Sequence, residues 1–269
     1  MRWAILCAAT LLWLGTVGWV EAQAPQDPRQ TQLLSQVAFE QQLDAQVPLS
    51  IRFLDEEGAS RALGEVLSDR PAVLVLGYFH CPMLCGLVRD GLIRSVAKLD
   101  FTVGEDFDVV YVSIDPTDAP EMARAFRETS VRAYGRGDGA GWWFLTAETE
   151  EPIRQLADAV GFRYAYDELS GQYAHPAGVI VLTPQGRISR YLFGVEFDEK
   201  DLRFALMEAA QQRIGTLSDL VLLRCYHYDP QTGRYTVAVW RIMRIAGFLT
   251  VAGLGALVLF LFRRERHAT

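Results

Sequence analysis

The segment Tyr78-Phe79-His80-Cys81-Pro82-Met83-Leu84-Cys85 sets two thiols four residues apart. Four residues make about one helical turn, so a helix starting here brings both sulfurs to one face. The positive end of that helix favours thiolates and predicts lowered thiol pKa values. Such a pair either oxidises to a disulfide or binds a soft metal ion. Two thiolates joined by one imidazole suit copper, whereas a closed zinc site normally recruits a fourth protein ligand. The imidazole candidate is His175, in Gly171-Gln172-Tyr173-Ala174-His175-Pro176. Asp115 reads either as a carboxylate that tunes or orients the site from behind its ligands or as a cap before Pro116. His80 reads as structural or as a spare ligand, and Met83 as packing or as a thioether donor.

These residues need a scaffold. Residues 72–79 are a continuous apolar run bounded by Pro71 and a Cys-Pro turn, the pattern of a strand buried on both faces. A helical pattern follows over 83–99. A second buried strand spans 109–114 and closes on Asp115-Pro116. A helix is expected over 117–134 with Pro120 in its first turn, then a strand at 142–145 and a helix at 151–160. Strands at 177–182 and 187–193 flank the turn Thr183-Pro184-Gln185-Gly186. The last amphipathic helix, 198–214, begins on a capping aspartate. This alternation predicts an α/β, thioredoxin-like fold with a mixed central sheet flanked by helices. The cysteines then sit at the carboxyl end of the first buried strand, where open α/β sheets place their sites. The loop carrying His175 lies against the dithiol in such a fold.

Cys81-Pro82-Met83-Leu84-Cys85, Ile114-Asp115-Pro116 and the later His175 resemble the SCO/SenC family, thioredoxin-like proteins that deliver copper to cytochrome c oxidase. The resemblance covers roughly residues 45–213. It implies that Cys81, Cys85 and His175 bind one copper ion, supplied by a copper donor protein. It implies delivery to the dinuclear copper site in the copper-bearing subunit of the oxidase, reduction of that site's cysteines by the redox-active pair Cys81 and Cys85, or both. Met83 and Leu84 stand where family members commonly carry an acidic residue. His175-Pro176 is a candidate cis bond, as at the loop facing the dithiol in thioredoxins. The alternative to a metallochaperone is a membrane-anchored thiol–disulfide oxidoreductase, with Cys81 attacking and Cys85 resolving. A third reading is an inert adaptor in which the two cysteines form a fixed disulfide.

The chain has 269 residues, 50% of them hydrophobic, and a net charge of −7. That acidity argues against nucleic acid as a partner. The glycine-rich stretch from Gly135 to Gly141 lacks the strand-to-helix context of a phosphate cradle and reads as a surface loop. Residues 1–22 have the signal-peptide pattern, a basic start and an apolar core ending in small residues. Residues 23–44 read as a linker and 45–214 as the copper-binding domain. Residues 215–240 form a juxtamembrane segment rich in Cys, His and Tyr, where Asp229-Pro230-Gln231-Thr232-Gly233 is turn chemistry. Cys225 and His227 there are an auxiliary copper site or part of a plain hairpin. Residues 241–264 contain an uncharged run from Ile245 to Phe262, about the minimum for a transmembrane helix. Arginines after it place the tail, 265–269, in the cytoplasm. The expectation is a membrane-anchored protein with its globular domain on the periplasmic side.

Overall fold

The computed structural model describes residues 29, 32–33, 35–67, 69–81, 84–211, 226–237, 244 and 247–255. The chain divides into a short unit, Met1–Ser35, and a main unit, Gln36–Thr269. The strands and helices from Ala38 onward belong to the main unit.

The first strands of this unit are short: β1 (Ala38–Phe39), β2 (Arg52–Leu54) and β3 (Ser60–Ala62), followed by a single turn of helix, α1 (Leu63–Val66). The core alternation comes next. It runs β4 (Ala72–Gly77), α2 (Leu84–Val96), β5 (Asp108–Ser113), α3 (Pro120–Tyr134), β6 (Trp142–Leu145) and α4 (Glu150–Ala159). Three short strands, β7 (Phe162–Arg163), β8 (Ala165–Asp167) and β9 (Gln172–Ala174), lead into β10 (Gly178–Leu182), β11 (Ile188–Phe193) and α5 (Glu199–Ala209). A hairpin of β12 (Tyr226–Asp229) and β13 (Arg234–Val237) follows.

Every residue of β4 and of β5 is buried, so both must lie mid-sheet with cover on each face. The central sheet has the order β11-β10-β4-β5-β6. β4, β5 and β6 are parallel, which forces the helical crossovers α2 and α3. β10 runs antiparallel to both β4 and β11. Successive side chains of β4 feed opposite faces, as strand geometry requires. Val73 and Val75 pack with Val88 and Leu92 of α2, Ala123 of α3 and Leu206 of α5. Leu74 and Leu76 pack with Leu63 of α1 and with Ile153 and Leu156 of α4. This helix–sheet–helix sandwich is the expected thioredoxin-like mixed α/β fold.

Close approach fixes one helix. A Cβ on Gly91 of α2 would fall 1.8 Å from the Val195 carbonyl oxygen, so only glycine lets that backbone pass. Asp198 accepts from the Lys200 amide at 2.8 Å and caps α5 as expected. The hairpin of β12 and β13 turns at Gly233 (φ 63°), and its Tyr228 and Tyr235 are buried in the core. The Tyr228 hydroxyl donates to the Tyr191 carbonyl at 2.7 Å and accepts from the Tyr191 amide at 3.1 Å.

One expectation is corrected. Among the described residues no helix is long and apolar enough to cross a membrane. Helix is described at 247–255, a rise of roughly 14 Å against a hydrocarbon core of about 30 Å. The transmembrane helix at 241–264, and with it the membrane-anchored placement with a cytoplasmic C-terminus, therefore lacks its structural basis. The rest of that run, the tail at 265–269 and the signal-peptide region at 1–22 lie outside the described residues.

Candidate metal centre

Cys81 sits in the turn after β4, and Cys85 is the second residue of α2. Their four-residue spacing does locally what helix geometry demands. The Cys85 amide, one of the N–H groups with no partner inside the helix, donates to Cys81 Sγ at 3.4 Å. The Tyr78 amide, at the end of β4, donates to Cys85 Sγ at 3.5 Å. Both cysteines are reduced thiols. They differ in access: Cys85 is 1% exposed, Cys81 half-buried.

His175 arrives from the segment between β9 and β10 and is 7% exposed. Its Nδ1 lies 3.0 Å from the Pro176 carbonyl, which can only accept, so Nδ1 carries the proton. Nε2 is therefore bare. It sits 2.9 Å from Cys85 Sγ and accepts from that thiol. The two sulfurs and this nitrogen all lie within 4.8 Å of one another. Metal–ligand bonds of about 2.0–2.3 Å put donors of a three-coordinate ion roughly 3.5–4 Å apart, so a sub-ångström opening admits one.

Aromatic rings wall the site. Phe162 lies 5.9 Å from the His175 ring at 30°, and Tyr78 meets it edge-on at 6.1 Å. Tyr173 packs on Tyr78 at 5.7 Å. Burial, and then contact with Cys81, raise the pKa of the Tyr78 phenol. A hydrogen bond with Cys81, followed by burial, pushes the Cys85 thiol far up. This reverses the expectation of a lowered value, because the Cys81 hydrogen bond and the loss of hydration together outweigh the helix end.

A second cluster stands behind Cys81. His80 Nδ1 donates to Asp118 Oδ1 at 2.7 Å, and its Nε2 lies 3.4 Å from Asp115 Oδ2. Asp118 Oδ2 also accepts from the Phe79 amide at 2.7 Å and the Ser113 hydroxyl at 2.5 Å. Asp115 Oδ1 accepts from the Thr117 amide and hydroxyl. The cluster ties the ends of β4 and β5 together and holds the backbone from which Cys81 projects.

With this geometry in view, comparison with known sequences is decisive. A sequence profile described as SCO1/SenC matches residues 41–210. The chain belongs to the SCO1/SenC family.

Solved structures share the SCO1/SenC fold. A protein of Aquifex aeolicus named for electron transfer is 32% identical over 64% of this chain and 96% of that one, with a TM-score of 0.57. Arabidopsis thaliana ScoI, solved with copper bound, is 18% identical over 60% and 96%, with a TM-score of 0.50. BsSco, described as a member of the Sco family of cytochrome c oxidase assembly proteins with a disulfide switch, is 19% identical over 64% and 96%, with a TM-score of 0.50. At such identities the last two bear on fold alone. A comparison with curated proteins finds no match.

Of the residues singled out in the sequence, the structure brings Cys81, Cys85 and His175 together. Asp115 and His80 stand apart from that set, bound to each other and to Asp118 and Thr117. No peptide bond among the described residues is cis, so the His175-Pro176 bond is trans. Met83, Cys225 and the His227 side chain lie outside what is described. Asp118, Phe162 and Tyr78 escaped sequence reasoning. Only Asp118 had a signal, a second carboxylate three residues after Asp115 in the same turn.

Proposed function

We propose that this SCO1/SenC protein is a copper metallochaperone. It binds one copper ion through Cys81, Cys85 and His175 and delivers it to the dinuclear copper site of a cytochrome c oxidase. One observation carries the reading: two reduced thiols and a bare imidazole nitrogen converge within 4.8 Å. Two soft sulfurs and one imidazole favour copper over zinc, calcium or magnesium. Three protein donors leave a position through which an acceptor's ligands enter. Entry is from the half-exposed Cys81 side, since Cys85 and His175 are enclosed. Transfer is ligand exchange between soft sites, with no bond chemistry to catalyse. Membership of the SCO1/SenC family, in which Arabidopsis ScoI holds copper and BsSco is counted among cytochrome c oxidase assembly proteins, supports both cargo and destination.

Anaerobic copper titration of the full chain against a competing chelator tests this. One equivalent is expected to bind tightly, to be lost in Cys81→Ser and Cys85→Ser, and to pass to a copper-free oxidase copper domain. Absence of tight binding by the reduced protein overturns the reading.

The reduced thiol pair also supports a second reading, a thiol–disulfide oxidoreductase. Cys81, the accessible thiol, attacks a substrate disulfide, and Cys85 then displaces the reduced substrate thiol. Two electrons pass to the substrate and a Cys81–Cys85 disulfide forms.

A further inference from the structure

Tyr111 lies on β5 and is 2% exposed. Its ring is wedged among aromatics, stacked on Phe144 at 5.8 Å and 12°, with Phe126 at 5.3 Å and Phe79 at 5.6 Å. That packing drives the phenol along the strand toward its carboxyl end, where the metal donors gather. Gly77, at the end of β4, marks how near it comes. A Cβ built on Gly77 would fall 2.3 Å from Tyr111 Oη and 3.3 Å from Cys85 Sγ. The hydroxyl and the sulfur thus flank one small volume that only glycine leaves open.

In the metal-free state this hydroxyl makes no well-formed hydrogen bond among the described residues, only a weak contact with the neutral Cys85 thiol. Buried hydroxyls are rarely left so. The reason lies in the sulfur. As a neutral thiol, Cys85 gives its proton to His175 Nε2, receives the Tyr78 amide, and is a weak acceptor for anything more. A tyrosine hydroxyl carries its proton at neutral pH and is an ordinary hydrogen-bond donor. The Tyr111 hydroxyl is also among the groups that oppose the rise at Cys85. Hydrogen bonds to an ionised acceptor are roughly twice as strong as neutral ones.

We propose that Tyr111 is a positioning residue of the metal centre: its hydroxyl donates to the Cys85 sulfur once that sulfur is a copper-bound thiolate, and so favours the loaded state over the empty one. This rests on the copper reading above. The buried hydroxyl has only a weak contact with a neutral thiol in the empty protein and gains a charge-assisted bond in the loaded one. Tyr111 therefore acts on affinity while its hydroxyl adds little to the stability of the apo fold.

Tyr111→Phe in the full chain tests this by three measurements. Thermal unfolding of the reduced apo protein is expected to be unchanged or raised in temperature, because a weakly paired buried hydroxyl is removed. Chelator competition is expected to show a copper Kd about tenfold higher, equivalent to ~1.4 kcal/mol. In the Cu(II) complex, the thiolate-to-copper charge-transfer band is expected to move to lower energy, as the sulfur loses a donor. A wild-type Kd and band position in the variant overturn this inference and leave the copper reading standing. A fall in apo stability that accounts for the lost affinity also overturns it, since it marks Tyr111 as packing alone. If wild-type protein binds no copper, both proposals fail together.

Discussion

Removal of the His175 ring separates the chaperone from the redox reading. In His175→Ala the two sulfurs keep their helix-turn spacing, while the nitrogen 2.9 Å from Cys85 Sγ is lost. A four-ligand metal site in a small domain is worth roughly 10–16 kcal/mol, so one ligand contributes about 3 kcal/mol. That predicts a copper Kd raised on the order of a hundredfold. The fold must survive for this number to mean anything. The ring is enclosed by Phe162 and Tyr78, and its Nδ1–H bonds the Pro176 carbonyl. Lost packing and two lost hydrogen bonds, the second from the Cys85 thiol, amount to about 3–4 kcal/mol, within the ~5–15 kcal/mol available to a domain. The assay is anaerobic chelator competition on reduced protein, with a urea melt of the same sample. Disulfide exchange with a small-molecule disulfide serves as control and is expected to stay within a few fold. Copper affinity within twofold of wild type in folded His175→Ala would refute the three-donor reasoning.

Other perturbations test the frame around the site. Asp118→Ala strands the buried Phe79 amide and Ser113 hydroxyl, and is expected to lower stability by about 2–4 kcal/mol in denaturant melts. His80→Ala, which removes only one partially exposed partner of the same carboxylate, should cost under about 1 kcal/mol. Gly91→Ala drives a methyl into the Val195 carbonyl and is expected to destabilise by about 3 kcal/mol, read from the urea midpoint. Acid titration of stability isolates Asp55. Burial pushes its carboxyl up, yet the Arg61 guanidinium and the Ala59 and Glu57 amides outweigh that and hold it below 3.8. A depressed folded pKa means stability present above about pH 4 and lost as pH falls through the folded value. Asp55→Asn should flatten that limb of the pH–stability curve.

The parts of the fold legible in sequence are those where one residue type repeats for a single reason. The apolar runs of β4 and β5 have no polar break, and only a central strand covered on both faces tolerates that. The helix expected from 117 starts instead at Pro120, because Thr117 and Asp118 are engaged by Asp115, Ser113 and His80. The hairpin of β8 and β9 left no readable pattern, since three residues per strand are too few to show alternation. Yet that hairpin leads directly into His175. The C-terminal run misled for a different reason. Hydropathy averages composition over a window, whereas a span needs one long apolar helix, and among the described residues there is none.

Site residues divide along the same line. Cysteine and histidine are rare enough that spacing alone draws attention to Cys81, Cys85 and His175. Tyrosine and phenylalanine are common in cores and aspartate is common in turns, so Tyr78, Phe162 and Asp118 become visible only when distances are known. The thiols show what this second layer does. Read from sequence, Cys81 and Cys85 share one helix end, and both thiols are expected to have lowered pKa values. In the fold, the Cys81 hydrogen bond and burial push the Cys85 thiol up, while Cys81 stays half-exposed. A metal that loads the site must displace the Cys85 proton, and one that leaves returns it, so affinity rises with pH through that exchange. In the proposed copper site the unequal pair would separate entry, at Cys81, from retention, at Cys85 and His175. A soft ion can then be held firmly and still be handed on.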